Sequence, residues 1–234
     1  MDNDESELDS LAKGAARVKF TSKRKGTISD FFNINRLSPR FHADIVAEMA
    51  NAMSLMEQAG ATPILPDGKV SGNAAVRIVE NNDLDFLIVS RSGKVAGRRM
   101  GESDICIVVN FDSIRWSADY FSVSDETLPT SDTPLHYAAL HAFQAFDWTE
   151  APSATLHGHA LETEEAAVRL NLPCSPAETL FSTPEDSDAL IKLLRAYPYP
   201  QHKVFIRKGH GFIILGTGLA DTLKTFKKCI QPNI

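Results

Sequence analysis

His157 and His159 form an H-x-H pair inside the extended-looking segment ATLHGHAL, residues 154–161. Residues two apart on a strand point to the same face, so both imidazoles can reach one metal ion. The same spacing also fits two polar strand residues facing solvent or a partner. His210, in Lys208-Gly209-His210-Gly211, sits at a glycine-flanked turn and can supply a third nitrogen, or occupy a surface turn. Three histidines with an oxygen ligand make a four-coordinate site of catalytic type, suited to zinc or another divalent ion.

A second constellation is Leu128-Pro129-Thr130-Ser131-Asp132-Thr133-Pro134-Leu135-His136. Two hydroxyls and a carboxylate stand just before a helix start, where unsatisfied amides attract anions. The alternative reading is N-capping by Asp132 or Thr133. His136, one turn further on, reads as a packed or capping-region histidine. Ser71-Gly72-Asn73 before a strand and Ser90-Arg91-Ser92-Gly93 after one offer hydroxyls and amides of the kind that cradle phosphate. Ordinary turn chemistry accounts for the same residues.

These groups need elements to hold them. Ser38-Pro39 reads as a helix start, with Ile45, Met49, Ala52 and Met56 at helical spacing and Gly60 as its end. Strands are predicted at Ala75–Val79, Phe86–Val89, Ile105–Phe111, Thr155–Leu161, Lys203–Arg207 and Phe212–Leu215. Helices are predicted from Thr133, from Thr163, from Thr183-Pro184 and from Leu219 to Ile230. Strands joined by short turns, with helices interspersed singly, imply an α/β fold: a mixed, largely antiparallel sheet covered by helices.

Composition narrows the function. Hydrophobic residues make up 43% and charged residues 23%, as in ordinary globular proteins. A formal charge of -6 argues against nucleic acid as a partner. No apolar run approaches the roughly 18 residues of a membrane span, and the acidic N-terminus lacks a secretory signal's apolar stretch. Cys106, Cys174 and Cys229 are scattered, which suits free thiols in a reducing, cytoplasmic setting. Residues 1–38, with five acids in Asp2–Asp9 and then a basic run, are expected to be a disordered or loosely docked extension before the domain at 39–234.

Taken in order, Gly72-Asn73, Ser92-Gly93, Thr130-Ser131-Asp132, His157-x-His159 and His210-Gly211 resemble the class II aldolase/adducin family. The resemblance runs from about Phe41 to Cys229. It implies a three-layer α/β/α sandwich with a mostly antiparallel central sheet. It also implies a divalent metal ion held by His157, His159 and His210; zinc is expected, with manganese, cobalt or magnesium as alternatives. Asp132 falls where the family carries its catalytic acid. Asn73, Ser92, Gly93, Thr130 and Ser131 fall at positions that bind substrate phosphate, and Asn73 also matches the residue that touches the enediolate oxygen. A homotetramer with active sites between subunits is the family's usual assembly.

The implied reaction is retro-aldol cleavage of a small phosphorylated ketose through a metal-stabilised enediolate. Ser131-Asp132-Thr133-Pro134 looks more like the epimerase branch, so a sugar-phosphate 4-epimerase is the nearest alternative. A dehydratase or decarboxylase shares the same chemistry, and a noncatalytic adducin-like interaction module is the alternative from another class. Arg91 replaces the proline usual before the Ser-Gly pair. Only 24 residues follow His210, and the tail that bears a catalytic tyrosine in both branches has no counterpart among them.

Overall fold

A computed structural model of the chain describes residues 18–80 and 84–234. Strands β1 (Thr21–Gly26), β2 (Asn73–Glu80), β3 (Leu84–Ser90), β4 (Ile105–Asp112), β5 (Ser117–Ser122), β6 (Ala154–Gly158), β7 (Val204–Arg207) and β8 (Gly211–Gly216) form one sheet. Its order is β1-β5-β4-β3-β2-β6-β8-β7. Only the β1–β5 pair is parallel; every other neighbouring pair is antiparallel.

Helices cover both faces, because alternate strand residues are apolar on both sides. On one face α1 (Ile28–Asn35), α2 (Pro39–Gln58) and α6 (Leu219–Thr225), which runs on into a π-helical turn at Phe226–Ile230, pack onto the sheet. Phe31, Met49, Met53, Met56, Phe226 and Ile230 meet Ile88, Ile107, Leu156 and Ile214 there. On the other face lie α3 (Thr133–Phe146) and α5 (Pro184–Ala196). Leu135, Ala139, Leu190 and Leu194 bury against Phe205, Ile213 and Leu215. A short helix, α4 (Glu164–Leu170), is capped by Thr163, whose hydroxyl accepts from the Ala166 amide. The α/β/α sandwich is the architecture implied by the family resemblance.

The N-terminal segment departs from expectation. Residues 1–17 lie outside the described residues, but residues 21–35 are neither disordered nor loosely docked. β1 adds to the sheet beside β5, and Ile28, Phe31 and Phe32 are buried in the main core. Phe20 packs edge-on to Phe111, 5.9 Å between ring centroids. The segment is basic on its exposed alternation, yet each of these four apolar side chains is buried. That is enough to dock it.

Two register facts set up the site. Asn73 on β2 pairs with His157 on β6, and His157 pairs in turn with Ile213 on β8. The β7–β8 turn, whose flanking residues Arg207 and Gly211 pair, carries His210 to the same end of the sheet.

Candidate metal centre

One ligand atom from each of Asp132, His157, His159 and His210 can be chosen so that all lie within 4.8 Å of one another. The imidazole centroids stand 4.8 Å apart for His157–His159, 4.7 Å for His157–His210 and 5.1 Å for His159–His210. Each comes from a different kind of position. His157 is near the end of β6, an interior strand all five of whose residues are buried. His159 lies just past it, held by its amide donating to the Ala61 carbonyl at 2.9 Å. His210 is in the β7–β8 turn, and Asp132 precedes α3.

Glycines let the backbones close around these histidines. The side of β6 opposite the two imidazoles is filled. A Cβ at Gly158 would stand 2.6 Å from the Phe212 ring and 2.7 Å from the Ala61 carbonyl. Gly211, at φ +116°, would place a Cβ 2.0 Å from the Gly158 carbonyl oxygen. Only glycine permits that approach.

The nitrogens are set up for a cation. His157 Nδ1–H donates to the Phe212 carbonyl at 2.7 Å, which leaves its Nε2 lone pair facing the cluster, 3.6 Å from Asp132 Oδ2. His210 Nε2 lies 3.4 Å from Asp132 Oδ1, and its Nδ1 lies 3.2 Å from Asp186 Oδ2. His157 Nε2 and both His210 nitrogens are buried without a hydrogen-bond partner. Buried polar atoms are normally satisfied, so nitrogens converging on a carboxylate fit a divalent ion.

Electrostatics agree. Burial lowers His157 to about 4, against the pull of Asp132. His159 is also pushed well below the usual histidine range, by burial and by the neighbouring histidines. Both are therefore neutral, the form that ligates a metal. Burial opposes ionisation of Asp132, yet His210 and His157 hold its carboxyl well below the usual range. Burial would also lower His210, but Asp132 and Asp186 raise it to about 9. Without a cation, His210 carries the positive charge that the carboxylates demand.

Asp132 does not cap α3. It occupies the N-cap position with no side-chain capping bond, while its carbonyl accepts from the His136 amide. The Thr133 hydroxyl donates to the Thr130 carbonyl instead. The Asp132 carboxylate is thus free to accept from Asn73 Nδ2 at 2.6 Å and from the Ser182 hydroxyl at 3.3 Å. Behind Asn73 stands His136, whose Nε2 is 2.6 Å from Asn73 Oδ1 and whose Nδ1 is 2.7 Å from Thr155 Oγ1. Donor accounting fixes the protons. A carboxylate only accepts, so Asn73 turns its NH2 to Asp132 and its oxygen to His136 Nε2–H. His136 Nδ1 must then accept from the Thr155 hydroxyl. Burial lowers His136 to about 3 and keeps it neutral, as this chain requires.

The remaining sequence candidates lie on segments hydrogen-bonded to the approach to α3. Thr130 Oγ1 accepts from the Asp132 amide at 3.3 Å, and Ser131 sits between them. Ser92 and Gly93 form the turn after β3, tied to the approach to α3 by Ser92 N donating to the Leu128 carbonyl and Thr130 N to the Ser90 carbonyl. Three contributors went unread in the sequence: Asp186, Arg207 and Ser182. Asp186 looks like a first-turn helix acid, Arg207 like a strand end, and Ser182 like a linker residue. No local spacing ties any of them to His210, although His136 four residues after Asp132 was a readable signal of a shared helix face.

The sequence matches the family profile of the Class II Aldolase and Adducin N-terminal domain over residues 47–229. No curated protein matches it. Among solved structures, a sugar-phosphate aldolase from Thermotoga maritima is similar with a TM-score of 0.57 at 15% identity, covering 80% of this chain and 91% of that one. An aldolase II superfamily protein from Pseudomonas syringae gives 0.57 at 13% identity, covering 86% and 75%. An L-fuculose 1-phosphate aldolase gives 0.53 at 15% identity, covering 80% and 81%. These likenesses carry the fold, and the profile match spans most of the chain: the protein belongs to the class II aldolase and adducin N-terminal domain family.

Proposed function

We propose that the protein is a metal-dependent lyase that cleaves a carbon–carbon bond of a small phosphorylated ketose by a retro-aldol reaction. The observation that carries this reading is the clustering of His157, His159 and His210 with Asp132, where His157 Nε2 and His210 Nε2 face the carboxylate without making a hydrogen bond. His157, His159 and His210 hold the ion, and zinc is the expected one, with manganese, cobalt or magnesium as alternatives. Bound there, a divalent ion would supply Lewis-acid polarisation of a carbonyl and stabilisation of the negative charge that develops as the bond breaks.

The chain's own residues do the rest. In cleavage the hydroxyl proton leaves as its carbon becomes a carbonyl, ionised Asp132 takes up a proton, and it delivers that proton to the carbon that carried the broken bond. In addition the same transfers run in reverse, Asp132 taking the carbon's proton and the new alkoxide regaining one. Asn73 orients the carboxylate through its amide. The Ser92, Thr130 and Ser131 hydroxyls and the Gly93 and Ser131 amides are the donors assigned to the phosphate, whose binding orients the reacting bond. The printed names of the neighbours, sugar-phosphate and L-fuculose 1-phosphate aldolases, support this substrate class. A cytoplasmic homotetramer with intersubunit sites belongs to the same reading.

The aspartate at position 132, followed by Pro134, favours a 4-epimerase as second reading, since that reaction shares the cleavage step. The test is elemental analysis of the purified protein, then a ketose-phosphate panel assayed for aldehyde release. Stoichiometric metal, lost in His157→Ala/His159→Ala, with aldehyde release supports the lyase. Inversion at C4 without release turns the assignment to an epimerase. Absence of metal sinks both and leaves an adducin-like interaction module.

A further inference from the structure

We infer that Asp186, held by Arg207, is a positioning residue that sets the ring orientation and ligand strength of His210; this rests on the metal-site reading above.

His210 lies between two carboxylates, with Nε2 toward Asp132 and Nδ1 toward Asp186 at 3.2 Å. Asp132 belongs to the ligand cluster. Asp186 stands on the far side of the ring and is itself fully buried, on the first turn of α5. Its oxygens divide their partners. Oδ1 accepts from Thr179 Oγ1 at 2.8 Å and from Arg207 Nη2. Oδ2 accepts from the Ser182 amide at 3.2 Å and faces His210. A slight ring rotation straightens the Nδ1–H toward Oδ2 and leaves Nε2 as the ligand nitrogen. Carboxylates behind a ligating imidazole fix its tautomer and raise its basicity.

Stability alone does not explain this arrangement. Arg207 and Asp186 are both fully buried, and Arg207 Nε and Nη1 have no partner. Such a pair is commonly no more stabilising than apolar side chains of like volume. The hairpin shows what the pair accomplishes instead. Arg207 and His210 flank one turn, joined by the His210 amide donating to the Arg207 carbonyl at 2.9 Å. The turn that presents His210 therefore also carries the guanidinium that fixes Asp186 behind it.

The test compares the full-length wild type, Asp186→Asn and Asp186→Asn/Arg207→Met. Zinc affinity is measured by competition with a chromophoric chelator, and cobalt(II) loading is followed by its visible absorption bands. Both variants are expected to lose zinc affinity about 10–100-fold and to shift the cobalt bands. The single variant leaves a buried guanidinium unpaired and risks unfolding. The double variant removes both charges together and keeps the measurement possible. If the double variant regains wild-type affinity and spectrum, the pair is structural and the inference fails. If the wild type binds neither ion, the metal-site reading itself fails.

Discussion

His136 Nε2 lies 2.6 Å from Asn73 Oδ1, joining α3 to β2 across 63 positions of sequence. The contact turns the Asn73 amide toward Asp132, whose carboxylate it holds together with Ser182. His136→Phe leaves the Asn73 oxygen and the Thr155 hydroxyl without their partner. We expect destabilisation of roughly 1–3 kcal/mol for each group left unpaired, with turnover falling further than stability predicts. Thermal melting beside steady-state rates checks this; a variant with full activity would show that Asn73 holds its orientation alone.

Asp132→Asn keeps the shape and removes the proton chemistry. Because the Asp132 side chain makes no capping bond, the usual loss of about 0.5–2 kcal/mol on removing a cap does not apply. The expected result in the metal-loaded protein is retained metal and a rate lower by at least about 100-fold, while chelator-treated protein should melt lower, because buried His210 loses a charged partner. Normal turnover would transfer the proton role to another group.

His210 predicts a pH dependence in chelator-treated protein. Its folded-state value, about 9, is above the ordinary 6.5, so the folded form holds this proton more tightly than the unfolded form. The contribution to stability is complete below about 6.5 and is lost as pH rises through 9. Wild type should therefore lose melting temperature relative to His210→Gln between pH 7 and pH 10. Parallel curves for the two proteins would remove the ion-pair account. By the same logic, zinc uptake at pH 7 should release a proton, measurable by calorimetry in buffers of different ionisation enthalpy.

Gly211→Ala should be among the most damaging small substitutions. The residue combines φ +116° with a Cβ position 2.0 Å from the Gly158 carbonyl and 2.8 Å from His159 Cα. We expect at least about 3 kcal/mol of destabilisation, together with loosened metal binding, because the displaced backbone carries two of the histidines. Urea unfolding and metal analysis on one preparation test both effects.

Much of this was legible because local rules were obeyed. Proline and hydroxyl pairs marked α3 and α5, apolar spacing marked α2, and the H-x-H pair with a glycine-flanked histidine marked the centre. β5 escaped notice because Ser117, Asp119 and Ser122 break its apolar text, and β1 because Lys23, Arg24 and Lys25 look like a solvated run. β1 depends on pairing with β5, almost a hundred residues away, which no short window contains, and β5 on lying between β1 and β4. Asp186 and Arg207 were hidden for a related reason. Their meaning depends on a contact between the start of α5 and the β7–β8 turn.

β6 is hydrogen-bonded along both sides, to β2 and to β8. Amides in such a strand open only with much of the sheet, so its protons should be among the slowest to exchange with solvent. The histidine at its end inherits that stillness. The stretch of Thr179 to Ser182, hydrogen-bonded to Asp186 and Asp132, ties the carboxylates to that fixed strand end from outside the sheet. The architecture makes the sheet an anvil, which stays put under what is placed on it.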